Sequence, residues 1–260
     1  MIRLATFNVQ HGRSRADGRV DAARLARAVV SLDADVVGLQ EVDRGQRRSG
    51  GSDLAREVAE AAGAHYAYVP ALAGQVAGHG PLGRRRARGD EAEQVPGYGI
   101  ALLSRYPVRA WYRLRLPVAG PWLFGRVQVW RDEPRAALAA VVDTPEGPLT
   151  VVTTHLSSWR RWNRVQLRWL VRWLRRVPRP VVLLGDLNIR GRIPAESTGW
   201  RALARVDTYP VGKPSIQIDH VLADGDVHAA GPARAPDLGV SDHRAVVVDV
   251  TLGDGDAREG

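Results

Sequence analysis

The chain contains no cysteine, one lysine (Lys213) and only three asparagines, Asn8, Asn163 and Asn188. Without cysteine it has no disulfide, no thiol nucleophile and no thiolate metal site, so any bound metal must rest on oxygen or imidazole. No apolar run approaches the roughly 18–20 residues that cross a bilayer. A Walker loop and a kinase-like glycine loop are both missing, which argues against nucleotide-driven phosphotransfer. The absence of HExxH argues against a protease-type zinc site, and that of GxSxG against a serine nucleophile on a strand–helix elbow. Met1 leads within three residues into LATFNV, leaving no room for the basic and apolar regions of a signal peptide. A cytoplasmic, monomeric protein without an integral membrane span is the expectation.

Within its 260 residues, 45% hydrophobic and 25% charged, the chain has an ordinary globular balance, which excludes bulk disorder. Its net charge is +9 and its pI about 10.8. All but one of the 37 basic residues are arginine, a bias that the codon usage of a GC-rich genome would also produce. A basic surface attracts polyanions such as nucleic acid or anionic lipid headgroups. Charge alone does not choose between them.

Short β-rich runs alternate with longer helical patterns. Strands are expected at Leu4–Val9, Val36–Gln40, Tyr66–Val69, Gly99–Ser104, Trp111–Leu116, Ala136–Val142, Leu149–Thr154, Val181–Leu184, Gln217–Ala223 and Ala245–Leu252. Helices are expected at Val20–Leu32, Ser52–Ala62 and Trp159–Val177. No linker divides them, so residues 1–252 read as one domain with a flexible tail at 253–260. The stretch Ala71–Gly97, with Arg84, Arg85 and Arg86 followed by Asp90, Glu91 and Glu93, reads as one long surface loop, a kind that is functional or disordered.

Two segments echo each other. DVVGLQE, ending at Glu41, and RPVVLLGD, ending at Asp186, each follow a helix with an apolar strand closed by a carboxylate. Two such halves imply an α/β fold, a four-layer sandwich of two mixed β-sheets packed face to face with helices on both outer faces. The two carboxylates would then meet at one edge. In the helix Trp159–Val177, Trp162, Trp169, Leu170, Trp173, Leu174 and Val177 share one face at about 100° per residue. Arginines cover the other. Basic amphipathic helices can lie on anionic membranes, but the position between two strands favours a surface helix with tryptophans in the core.

Acidic residues recur after or within apolar runs: Glu41 in LQEVD, Asp186 in GDLN, Asp219 in IQIDHVL and Asp242 in SDHRAV. One such residue means little, because strands must end in something polar. Four of them, with Asn8, Asn188, His155 and His243, form an oxygen-rich set suited to a hard cation such as Mg²⁺ or Mn²⁺. Magnesium is commonly held by one or two carboxylates, water and a substrate phosphate, which points to phosphoryl chemistry. His11, beside Gly12, reads as a loop residue, and His65, His79 and His228 as surface residues.

In order along the chain, TFNVQHG, GLQEVD, YGIALLSRYP, EPRAAL, TTHLS, GDLN, IDHVL and SDHRAVVVD resemble the endonuclease/exonuclease/phosphatase superfamily. The resemblance runs from about Ile2 to Leu252 and implies the four-layer sandwich already inferred. It makes Glu41 the principal metal carboxylate, with Asn8 and Asp242 as supplementary ligands. Asp186 and Asn188 resemble the pair that orients the attacking water and contacts the phosphate. Asp219 and His243 resemble a carboxylate–imidazole pair, and His155 the histidine on the scissile phosphate. Arg135 matches an arginine that packs against the site or touches phosphate. Where the family often has tyrosine after the IxD aspartate, this chain has His220.

The resemblance implies a Mg²⁺-dependent hydrolase, with Mn²⁺ able to substitute, that attacks phosphate esters in line with an activated water. A nuclease-like phosphodiesterase is favoured over a phosphomonoesterase because no dedicated monoester pocket is recognisable. The phosphodiester substrate is a nucleic acid, a phospholipid headgroup or a small diester. The alternatives are a sphingomyelinase-like headgroup phosphodiesterase, an inositol-phosphate phosphatase and an inactive polyanion-binding module.

Overall fold

The computed structural model describes residues 1–76, 85–88, 91–119, 121–124, 127–130 and 132–253. Its first half runs β1 (Ile2–Asn8), α1 (Ala22–Val30), β2 (Val36–Arg44), α2 (Leu54–Ala62), β3 (His65–Ala73), β4 (Arg85–Arg86), β5 (Gly97–Ser104), β6 (Val108–Arg115), β7 (Pro121–Phe124) and β8 (Val127–Trp130). Its second half runs β9 (Ala136–Thr144), β10 (Gly147–His155), α3 (Trp162–Leu174), β11 (Val181–Asp186), α4 (Ile193–Thr198), β12 (Arg201–Ala202), β13 (Asp219–Asp224), β14 (Val227–Ala229) and β15 (Val246–Leu252).

One sheet has seven strands in the order β14-β15-β1-β2-β5-β3-β4, and the other six in the order β12-β13-β11-β10-β9-β6. Strands β7 and β8 form a separate antiparallel pair. Each large sheet contains one parallel pair, β1–β2 and β10–β11. Each pair is joined through a helix, α1 in one case and α3 in the other, as parallel neighbours require. The sequence echo is therefore two β-α-β units, one at the centre of each sheet.

Side chains alternate between the two faces of a strand, and that alternation builds the layers. Ile2 and Leu4 of β1, Leu149 and Val151 of β10, and Val182 and Leu184 of β11 pack together between the sheets. Ala5 and Phe7 turn the other way, against Leu25 and Val29 of α1 and Leu54 and Val58 of α2. On the far side, Val152, Val181 and Leu183 meet Leu167, Leu170 and Leu174 of α3. The result is the expected helix–sheet–sheet–helix stack. Among the described residues no helix is long and apolar enough to cross a membrane.

Helix ends follow local chemistry. Asp21 caps α1 by accepting from Arg24 N–H, and Asp53 caps α2 by accepting from Arg56 N–H, which satisfies backbone donors that the helix leaves open. Helix α3 is shorter than its periodic pattern, and its buried stripe is Asn163, Gln166, Leu167, Leu170 and Leu174. Trp169 is 54% exposed, which corrects the expectation for that tryptophan, while Trp173 packs partly buried against the core. Residue 170 occupies the centre of the buried stripe, and 169, about 100° around, falls outside it.

The expected long loop is also revised at its ends. Strand β3 continues to Ala73, Arg85 and Arg86 pair with Ala73 and Leu72, and β5 begins at Gly97. Arg84, His79 and Asp90, and the tail 254–260, lie outside the described residues. The six-residue helix α4 carries too short a pattern for periodicity to reveal.

The sheets pack closely at Gly38. A Cβ there would lie 2.1 Å from Leu184 Cδ1 and 2.6 Å from Thr153 Oγ1, both in the opposite sheet. Gly38→Ala should therefore overpack the core at a cost of about 1–3 kcal/mol, lowering the thermal midpoint by about 2–4 °C per kcal/mol. An unchanged midpoint in calorimetry would show that the sheets separate freely at this point.

Candidate active site

The same alternation that builds the core delivers polar side chains to its edge. Counting in twos along β1, Ile2 and Leu4 lead to Thr6 and Asn8. Along β10, Leu149 and Val151 lead to Thr153 and His155. Along β11, Val182 and Leu184 lead to Asp186, and on β13 Asp219 shares the face of Val221 and Ala223. The strand register then aligns them, pairing His155 with Asp186 and Asp186 with Asp219. His220 takes the opposite face of β13 and donates to the carbonyl of Ile189 at 2.7 Å. Its role at that position is structural support for the segment after Asp186.

A polar layer lies one step inside this edge. The Gln40 amide, fully buried, donates to Thr6 Oγ1 at 3.0 Å and across the sheet interface to Thr153 Oγ1 at 2.9 Å. A bulge between Gln40 and Val42 follows. Val42 thereby faces the outer core with Leu39, while Glu41 is held at φ +59°. The extra residue lets Gln40 and Glu41 both serve the inner side. Asn188, at φ +51°, and Ser241, at φ +71°, share this unusual backbone, which costs each non-glycine residue about 1–3 kcal/mol and persists only where surroundings enforce it.

Asn8 joins the two sheets. Its Nδ2 donates to Glu41 Oε1 at 3.1 Å and to Asp186 Oδ2 at 3.0 Å, while its Oδ1 accepts from Gln10 N–H. As arranged, Asn8 presents its amide nitrogen to the two carboxylates and links them across the sheets. Asp186 is 2% exposed, and its Oδ1 accepts from Asn188 N–H at 2.9 Å. Burial, reinforced by the Asp219 carboxylate, pushes the Asp186 carboxyl up to about 7 against the opposing pull of His243, Asn8 and the Asn188 N–H.

The two histidines flanking Asp186 are in opposite states. Burial, with Arg135 and His243 nearby, drives the His155 pKa well down, so the ring is neutral. Arg135 Nη1 lies 2.8 Å from His155 Nδ1. A guanidinium can only donate, so Nδ1 is the bare nitrogen and Nε2 carries the proton. Nε2 lies 3.3 Å from Asp186 Oδ2 and 3.2 Å from Asn188 Nδ2. Burial also opposes charge on His243, but Asp219, by charge and hydrogen bond, together with Asp186 and Asp242, raises its pKa to about 10. Its Nδ1–H donates to Asp219 Oδ2 at 2.9 Å, and its Nε2 lies 3.9 Å from Asp186 Oδ2.

Several neighbours escaped the sequence reading. Thr208 donates to Asp219 Oδ2 at 2.5 Å, and the Tyr209 ring sits 5.0 Å from that of His243. Ser241 Oγ donates to the Asn8 carbonyl and accepts from His243 N–H. Asn163 Nδ2 holds the Asn188 carbonyl at 2.8 Å. Tyr98 is half-buried beside Glu41, and the desolvation of its hydroxyl and the Glu41 charge both keep it protonated. Of these, Ser241 and Tyr98 lay inside sequence motifs, each as the first residue.

A cavity of about 600 Å³ opens over this edge. Glu41, Arg135, His155, Asp186, Asn188, Asp242 and His243 line it, with Arg160, Arg164 and Arg190 also contributing. Asn8 and Asp219 sit behind it, hydrogen-bonded to lining residues. His11 lies in the single turn Gln10–Gly12 and is not among the lining residues. Ligand-capable atoms of Asp186, Asp219 and His243 lie within 4.8 Å of one another. However, Asp219 Oδ2 and His243 Nδ1 are already committed to each other. The donors that fit a cation are the cavity-lining carboxylates of Glu41, Asp186 and Asp242, a hard-oxygen set of the kind magnesium takes.

The structure resembles several solved proteins. An endonuclease/exonuclease/phosphatase from Beutenbergia cavernae DSM 12333 superposes with a TM-score of 0.71 at 22% identity, over 97% of this chain and 72% of that one. A mannosyl-6-phosphatase from Bacteroides thetaiotaomicron VPI-5482 gives 0.64 at 16% identity, over 97% and 100%. D. rerio TDP2, complexed with single strand DNA product, gives 0.62 at 15% identity, over 96% and 99%. No curated protein matches the sequence. The sequence profile of the Endonuclease/Exonuclease/phosphatase family matches residues 5–243; with the sandwich and the carboxylate-rich edge between its sheets, the chain belongs to that family of phosphoester hydrolases.

Proposed function

We propose that the chain is a Mg²⁺-dependent phosphodiesterase that hydrolyses its substrate by in-line attack of water. The observation that carries this reading is the Asn8-linked pair Glu41–Asp186, flanked by one neutral and one protonated imidazole, at the floor of an arginine-bearing cavity. Glu41 and Asp242 would hold the cation, leaving Asp186 for the attacking water. When bound, it would supply charge neutralisation for the phosphoryl and leaving oxygens.

The remaining chemistry belongs to the chain. Asp186, with a pKa close to neutrality, takes a proton from the attacking water, since a group of matched pKa does this best. His243 already carries its proton, so it acts as a fixed positive charge towards the phosphoryl oxygens, with Asp219 maintaining that state. Neutral His155 offers Nε2–H, and its tautomer is set by Arg135. Asn188 adds a polar contact. An open cavity with arginines at its mouth accommodates ester groups on both sides of a phosphate, which favours a diester. The mannosyl-6-phosphatase of the same fold supports a second reading, phosphomonoester hydrolysis. Comparing bis-p-nitrophenyl phosphate with p-nitrophenyl phosphate decides between them.

Chelation by EDTA should abolish hydrolysis of bis-p-nitrophenyl phosphate, and added Mg²⁺ or Mn²⁺ should restore it. Glu41→Gln should be partly rescued by excess Mg²⁺. Unchanged turnover by metal-stripped protein would defeat the metal-dependent reading.

At saturating Mg²⁺, His243→Ala should lower kcat by roughly 10²–10⁴. Asp219→Asn should also depress kcat, with Mg²⁺ binding intact, because an amide does not support the imidazolium. The double variant should be little worse than His243→Ala alone. Fully multiplicative losses would show that the two side chains act independently.

A further inference from the structure

Between Glu146 and Asp186 the chain carries eight arginines and no acidic residue. Arg164, Arg168 and Arg172 lie on α3 at intervals of one turn, so successive guanidiniums rise about 6 Å along its exposed side. All three, and Arg160 and Arg175 beyond the helix ends, are exposed. Among the described residues no ion pair engages Arg160, Arg164, Arg168 or Arg172; nearby pairs are Arg135–Glu133 and Arg179–Asp224. The stripe is unneutralised charge.

The stripe leads away from the active site along the α3–α4 seam. The catalytic cavity is bounded by Asn163 and Arg164 at the start of α3 and by Ile193 at the start of α4. A more open groove of about 720 Å³ follows between the same two helices, lined by Arg168, Trp169, Arg172 and Arg175 on one side and Ser197 and Thr198 on the other. Trp169, 54% exposed, stands between two of the arginines in sequence and borders the groove with them. Guanidiniums at regular intervals beside an open indole are the pairing that single-stranded nucleic acid uses, phosphates on the cations and an unpaired base on the ring.

We propose that the α3–α4 groove is an exosite that holds single-stranded nucleic acid flanking the scissile phosphate. The assignment rests on the phosphodiesterase reading of the adjoining cavity. A bilayer is the poorer occupant, because Leu167, Leu170 and Leu174, the apolar side of α3, are buried in the core. What remains apolar on that side, Trp169 with Val165 and Val171 in the groove and Trp159 before the helix, is interrupted by arginines and forms no continuous face to enter acyl chains. A duplex would keep its bases stacked and leave Trp169 without a partner.

The test uses the full chain, with Arg168→Ala/Arg172→Ala and Trp169→Ala variants, none of which removes a group from the catalytic cavity. Binding of a fluorescein-labelled oligothymidylate, long enough to reach from the cavity past Arg175, is followed by anisotropy in EDTA, where no turnover occurs. Each variant should bind roughly tenfold more weakly or worse, and Trp169→Phe should recover much of the Trp169→Ala loss. The double arginine variant should also lower the slope of log affinity against log salt by about 0.7 per arginine removed. Hydrolysis of bis-p-nitrophenyl phosphate should be unchanged in all of them. Wild-type affinity in the variants would overturn the exosite, as would failure of the wild type to bind the oligonucleotide. Binding to phosphatidylserine–phosphatidylcholine vesicles that Trp169→Ala abolishes, with oligonucleotide affinity untouched, would overturn it in favour of a lipid surface. Absence of wild-type bis-p-nitrophenyl phosphate hydrolysis would instead defeat the phosphodiesterase reading, while the anisotropy result still decides the groove.

Discussion

Asp186 is a carboxylate almost wholly removed from water, at the seam where two sheets meet. A charge in that position is costly unless hydrogen bonds and opposite charges surround it. The neighbours answer that cost from different parts of the chain: Asn8 from one sheet, the Asn188 N–H from its own strand's exit, His155 from the adjoining strand and His243 from the segment before β15. Remove the seam and none of these groups has a reason to converge. The site is therefore a property of the sheet-on-sheet packing as much as of its residues.

The packing also explains why small and polar residues lie so deep. Gly38 lets Leu184 and Thr153 cross close to β2. Gln40 then bridges Thr6 and Thr153 with its amide. This buried polar layer separates the apolar core from the charged edge, and one of its bonds, from the Gln40 amide to Thr153, crosses between the sheets. Such a layer tolerates little sliding between the sheets, because an amide left unpaired there would cost about 1–3 kcal/mol. The left-handed backbone at Glu41 and Asn188 stands just above it, where hydrogen bonds from Asn8 to Glu41 and from Asn188 to Asp186 and Leu156 hold both residues.

Two imidazoles of the same chemical type acquire opposite charge states within a few ångströms of one carboxylate. A guanidinium behind His155 fixes its tautomer and discourages protonation. A carboxylate behind His243, itself clamped by Thr208, favours protonation. Burial disfavours the charge on both rings, and the charged neighbours of each decide the outcome. One histidine becomes a neutral donor and the other a cation, which is a useful division of labour around a phosphate.

Much of this was legible in the sequence. Helix and strand periodicities, and the two apolar strands ending at Glu41 and Asp186, imply the layered α/β architecture because both depend only on neighbours along the chain. The short motifs nominate nine side chains; in the structure seven line one cavity, and Asn8 and Asp219 hydrogen-bond to lining residues. Tertiary structure alone decides how they are paired. The bulge at Glu41, the Thr208 clamp on Asp219, the orientation of the Asn8 amide and the position of Arg135 behind His155 all depend on register and on contacts between distant segments. So does the exposure of Trp169, since composition places a tryptophan on a helix but only packing selects which stripe is buried. Local pattern carries which residues are available, and non-local packing decides which atoms face one another.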